Sequence, residues 1–155
     1  MNETSALTLP GGLVPDPLRI WSVSAMHSLG RWPVKGSPDA LDYGVNFAAF
    51  LSASSDTIKS HTVTVLTASG STYDLTVVWD GHDEACVRLM LGSGPPSSVQ
   101  RVSVRILTAQ GRQFEQIMQL WIVDYIAASG KPLLTVPSGE QLTDPSGLPL
   151  SGTVR

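Results

Sequence analysis

From Arg101 to Ile106 the chain alternates strictly, with Val102, Val104 and Ile106 on one side of an extended backbone and Arg101, Ser103 and Arg105 on the other. A period of two sends successive side chains to opposite faces, so the stretch predicts a strand with one apolar and one polar face. Such a strand is not stable alone, and its apolar face demands a second layer. The same signature recurs along the chain. Leu41, Tyr43, Val45 and Phe47 share a face opposite Asp42, Gly44 and Asn46, which predicts a half-buried strand, and Phe47 to Leu51 then has room only for a brief helical turn. His61 to Thr67 places Val63 and Val65 together before the turn residues 68–71. Tyr73, Leu75, Val77 and Trp79 line the next strand, with Asp80-Gly81 as a favoured tight-turn pair after it. Val87, Leu89 and Leu91 precede a Gly-Ser-Gly-Pro-Pro loop at 92–96, and Gln110-Gly111 leads into Phe114, Met118, Leu120 and Ile122. Six strands with turns near residues 70, 81, 93 and 111 predict an all-β fold, an immunoglobulin-like antiparallel β-sandwich with extended N- and C-terminal arms.

Composition agrees with that class and narrows the function. The 155 residues suit one domain with a workable core. Fourteen glycines and eleven prolines supply turns rather than long helices. Ten basic against thirteen acidic residues give a net charge of −3, which argues against a nucleic-acid or anionic-membrane surface. Arg88, Arg101, Arg105 and Arg112 could share a sheet face, but four arginines make a small footprint for phosphate. The single cysteine, Cys86, forms no internal disulfide, so the fold is expected to stand in a reducing cytoplasm. The first residues carry no signal-peptide pattern, and no apolar run approaches the ~18 residues of a membrane span.

Three parts are expected: an N-terminal arm at 1–36, a sandwich at 37–124 and a C-terminal extended tail at 125–155. The first is punctuated by prolines and glycines but carries Leu18, Ile20, Trp21, Val23, Met26, Leu29 and Trp32, too many large apolar groups for a solvated tail. Either it packs on its own domain, completing a sheet edge, or it embraces a neighbouring subunit. The last part is rich in Pro, Gly, Ser and Thr and builds no core of its own. It repeats PSGxxL at Pro137 to Leu142 and Pro145 to Leu150. That repeat is either coincidence in a turn-rich tail or a pair of leucines inserted in turn into pockets along a partner.

Catalytic patterns are sparse. Asp80, His82 and Asp83 could hold a divalent metal for hydrolysis, yet Asp-Gly marks a solvated hairpin turn and no second histidine sits at ligand spacing. There is no G-x-S-x-G elbow, Gly92-Ser93-Gly94 lacks the helix of a phosphate-binding loop, and Cys86 has no activating base nearby in sequence. No enzyme, no cofactor and no metal site are therefore expected. Trp79 and Trp121 offer an alternative: exposed side by side, they could form the platform of a carbohydrate-binding sandwich recognising cell-surface glycan.

The segment from Asp39 through Ala40, Leu41, Asp42, Tyr43, Gly44 and Val45, closing with Asp56, Thr57 and Ile58, resembles the opening of the phage fibre-tail adaptor proteins. Their pattern runs roughly D-A-x-L-D-Y-x-x-D-W and then D-T-I; Asn46 stands here where Asp is usual, and Phe47 where Trp is usual. Leu89 to Gly94, Val99 to Thr108, Gly111-Arg112 and Phe114 to Val123 occupy the places of that family's later strand, Gly-rich loop, alternating strand, turn and last strand. The resemblance implies a structural virion protein of a tailed phage, made in the host cytoplasm and placed in the tail. It implies docking of fibres or spikes onto the tail or nozzle, in several copies around the tail axis, with no nucleic acid or membrane as partner. The residues expected to contact other tail proteins are Ile20, Trp21 and Trp32 in the first arm and Leu142, Leu148 and Leu150 in the second, while Asp42 and Tyr43 are expected to brace the domain.

Overall fold

The computed structural model describes residues 9–24 and 28–124. Among these residues, nine strands form two facing sheets: β1 (Ile20–Ser22), β2 (Gly30–Arg31), β3 (Lys35–Gly36), β4 (Leu41–Asn46), β5 (Ile58–Val65), β6 (Thr76–His82), β7 (Cys86–Gly92), β8 (Ser98–Thr108) and β9 (Gln113–Val123). The first sheet has the order β1-β4-β7-β6; in the second, β2 and β3 both flank β9, followed by β8 and β5. The fold is an all-β sandwich, and the six strands expected from alternation are β4 to β9. One helical turn, α1 (Ala48–Leu51), follows β4 as expected.

Inward residues of both sheets make one core. Val45, Val87, Leu89 and Leu91 from the first sheet face Val102, Val104, Ile106, Met118, Leu120 and Ile122 from the second, all essentially inaccessible. Their burial is the main driving force for the fold, since each such side chain gains roughly 1.5–3 kcal/mol on leaving water.

Four expectations change. The sheets are not purely antiparallel: β1 runs parallel to β4, and β2 and β3 run parallel to β9. The N-terminal segment returns along one flank of the sandwich, an arrangement that alternation within single strands does not encode. β4 is buried on both faces, not one, because the backbone and side chains of residues 16–20 lie against Asp42 and Gly44. Asp80-Gly81 is not a turn. A bulge between Val77 and Trp79 inserts an extra residue, so Val77 opposes Leu91 while Trp79 opposes Met90 and points outward, and β6 continues through His82. The turn falls instead at Asp83, whose carboxylate accepts from the N–H groups of Ala85 (2.9 Å) and Cys86 (2.8 Å). Tyr73, expected to line that strand, precedes it and is 71% exposed.

Candidate functional site: a braced sandwich with two unlike flanks

The motif residues of the sequence are anchors. Asp42 on β4 pairs with Arg19 at 2.7 Å and accepts from Asp16 N–H at 3.1 Å, while Arg19 Nε donates to the Asp42 carbonyl at 2.7 Å. Burial alone raises the Asp42 pKa, but the Arg19 hydrogen bond, the Asp16 N–H and the Arg19 charge outweigh it and hold the carboxyl below the ordinary range. Tyr43 is buried, its ring centroid 4.9 Å from that of Trp32. Burial pushes its hydroxyl pKa upward, so it stays neutral.

Asn46 stands where the family usually has Asp, and its Oδ1 accepts from Ala48 N–H at 2.9 Å, holding the bend between β4 and α1. Phe47 fills the core at 1% exposure. Asp56 of the D-T-I triplet reaches across to the β8–β9 hairpin. It accepts from Thr57 N–H (2.9 Å), Gln110 N–H (3.1 Å) and Arg112 Nη1 (2.9 Å), and its carboxyl is held below the ordinary pKa by the Thr108 and Arg112 hydrogen bonds against the opposing effect of burial.

Lys35 is the residue that sequence reasoning missed. It is fully buried, and its ammonium donates to the carbonyls of Gly36 (2.7 Å), Ser37 (3.3 Å) and Ser93. Burial lowers its pKa, opposed by the nearby Asp39 carboxylate. It ties β3 to the glycine-rich loop, whose Gly94 lies so close to Ile122 that an added Cβ would come within 3.1 Å of it. A lysine between Val34 and Gly36 gives no sequence signal of burial.

Of the residues expected to touch partners, Trp32 is 2% exposed and donates its indole N–H to the Gly44 carbonyl at 3.0 Å, so its ring is occupied within the chain. Ile20 and Trp21 are half-buried on β1, and Trp21 packs against the core. Leu142, Leu148 and Leu150 lie outside the described residues. Trp121 is 46% exposed on the outer face of the second sheet, whereas Trp79 is half-buried on the outer face of the first. The two rings share no platform.

The Asp80 cluster acquires a member from elsewhere. His61 on β5 meets His82 on β6 with their Nδ1 atoms 2.6 Å apart, and its Nε2 lies 3.0 Å from Asp80 Oδ1. At that separation one imidazole donates and the other accepts. Asp80 addresses the far nitrogen of His61 and Asp83 is spent on its own turn, so the three residues named from sequence do not converge. Among the described residues no group of three or more His, Cys, Asp or Glu side chains could hold a metal ion. Burial, aided by the His61 charge and opposed by Asp83, lowers the His82 pKa. Cys86 is buried, with its thiol pushed up to about 11, chiefly by burial, which makes it a poor nucleophile at neutral pH. The four arginines do not share a face either: Arg88 is on β7 of the first sheet, Arg101 and Arg105 are on β8 of the second, and Arg112 is engaged by Asp56.

The described residues form a sandwich whose buried polar groups brace its loops. Residues 35–121, more than half of the chain, match the family described as Podophage GP4 fiber-tail adaptor protein gp77. The chain belongs to that family, which makes it a component of the phage tail that associates with other tail proteins. None of the curated proteins compared with it matches. No helix among the described residues is long and apolar enough to cross a membrane.

Proposed function

We propose that this chain docks tail fibres or spikes onto the tail or nozzle of a podophage, acting as a structural part and not as an enzyme. The observation that carries the reading is that the family match coincides with the braced body. The family-like residues Asp42, Tyr43, Asp56 and Gly94 all hold strands and loops in place, leaving the outer surfaces for partners. Several copies stand around the tail axis. The half-buried Ile20 and Trp21 edge of the first sheet and the leucines Leu142, Leu148 and Leu150 of the C-terminal arm meet neighbours there. Each contact is modest, and anchoring many copies on one ring makes loss of any single fibre rare, because rebinding is intramolecular.

Particles assembled with this gene disrupted test the reading by mass spectrometry of their proteins and by electron microscopy. The expected particles have a tail tube but no fibres, and adding the purified full-length chain restores them. Particles that carry their full set of fibres without it overturn the proposal.

A further inference from the structure

The outer face of the second sheet brings two arginines and a tryptophan together. Gln119 on β9 stands in register with Arg31 on β2 and with Arg101 on β8, so the three form one row across adjacent strands. Met118 and Leu120 are buried, which turns Gln119 outward with both arginines, and Arg31 and Arg101 are exposed. Strand spacing sets the Cα atoms of the two arginines about 10 Å apart. Leu66 extends the row, its N–H donating to the Arg101 carbonyl at 2.8 Å. The next row along β9 is apolar: Trp121 opposes Val99, and the pairing of Lys35 with Ile122 places Val34 on its other side. Leu66, Val34 and Trp121 are all exposed. Arg105 on the same face pairs with Glu115 at 3.5 Å and Arg112 pairs with Asp56 at 2.9 Å, whereas Arg31 and Arg101 pair with no carboxylate among the described residues.

We infer that this face docks an acidic segment of another tail protein, with carboxylates on Arg31 and Arg101 and an apolar side chain over Trp121. Tryptophan and arginine are the residues that most often dominate binding energy at protein interfaces, and the guanidinium fork matches a carboxylate in a bidentate pair. Charge selects the occupant. The chain carries a net charge of −3, so a basic face is its exception and calls for a negative complement. A second copy offers few carboxylates to meet it, because they are largely spent within the chain. Asp16 and Asp42 hold Arg19, Asp56 holds Arg112, Asp74 accepts from the N–H groups of residues 69–71, Asp83 closes its own turn and Glu115 holds Arg105. Residues 125–155 set Glu140 and Asp144 against Lys131 and Arg155, so the C-terminal segment has no net charge to offer either. An acidic segment of a different protein meets the requirement. The inference rests on the adaptor reading, since it names the partner chemistry of one face which that reading leaves open.

Particles assembled with this gene disrupted, titrated with purified full-length chain and scored for bound chain and for fibres, decide it. The double variant Arg31→Glu, Arg101→Glu and, separately, Trp121→Ala are expected to need at least about tenfold more protein than the parent to restore one or both. Arg105→Ala, which removes an already paired arginine from the same face, is expected to restore as the parent does. Variants that restore at the parent's concentration overturn the inference and leave the adaptor role standing; a parent that restores nothing overturns the adaptor role and the inference with it. An equal loss in Arg105→Ala traces the effect to overall charge and overturns the docking face. Two measurements on the purified chain test the other occupants. Self-association of the parent by light scattering that the variants abolish overturns the inference in favour of a second copy, and variants that melt well below the parent overturn it in favour of cover by the chain itself.

Discussion

The two flanks of the sandwich are closed by different chemistry. On one, the N-terminal segment crosses from β1 on the first sheet to β2 and β3 on the second, fixed by the Asp42–Arg19 pair, by Trp32 between the sheets and by the carbonyl-bound Lys35. On the other, β5 and β6 come together through His61, His82 and Asp80, whose side chains are part-exposed. The Asp42–Arg19 pair, its carboxyl lowered and its guanidinium raised, and the buried rings do not titrate near neutrality. An imidazole pair that can hold its hydrogen bond only while one ring accepts makes the second flank sensitive to pH there.

Deleting residues 1–36 removes three strands, Trp32, Lys35 and the Arg19 partner of Asp42 at once. The expected result is loss of the cooperative thermal transition followed by circular dichroism; a deletion variant that still melts cooperatively would detach the segment from the fold and erase the contrast. Trp32→Ala, which empties a large site and strands the Gly44 carbonyl, is expected to cost ~3–5 kcal/mol in denaturant unfolding. Asp42→Ala removes one of the two carboxylates paired with Arg19, which keeps Asp16 at 2.9 Å, and a loss of about 1–3 kcal/mol is expected. A loss under about 0.5 kcal/mol, the size of a surface substitution, would show that the clamp is ornamental.

The smallest effect belongs to the histidine flank. The His82 pKa is lowered on folding, so below the ordinary histidine value of about 6.5 the unfolded chain takes up a proton that the folded chain resists. Stability is therefore full above that value and falls as pH drops toward the folded pKa. Asp42 does not contribute in this window, since its stabilisation is lost only below the ordinary carboxylate value of about 3.9. Melting temperature measured between about pH 7.5 and pH 5.5 is expected to fall in the parent and to stay flatter in His82→Gln. Identical slopes would place the titration elsewhere.

The core and the six central strands were legible because period-two alternation is local, and β4 to β9 each carry it within one run of residues. What the sequence did not show depends on contacts between distant runs. The parallel pairing of β1 with β4, the carbonyl cage of Lys35 and the meeting of His61 with His82 join residues that no spacing relates. Asp80-Gly81 misled for a related reason: its turn propensity is real, but the bulge at Val78 and the better-placed Asp83 side chain moved the turn three residues on. The reading of Asp42 and Tyr43 as braces agrees with their contacts, whereas Trp32 proved to be committed to the interior. The family match starts at residue 35, three residues after that tryptophan, so the flank that closes the sandwich lies largely outside the matched stretch.

The most direct test of the adaptor role is the position of this chain in the intact particle, found by cryo-electron microscopy of purified virions. The sandwich is predicted to stand between the tail and the fibre bases, in several copies around the axis and touching both. Density for the chain that contacts only the capsid, or only the distal end of a fibre, would contradict an adaptor.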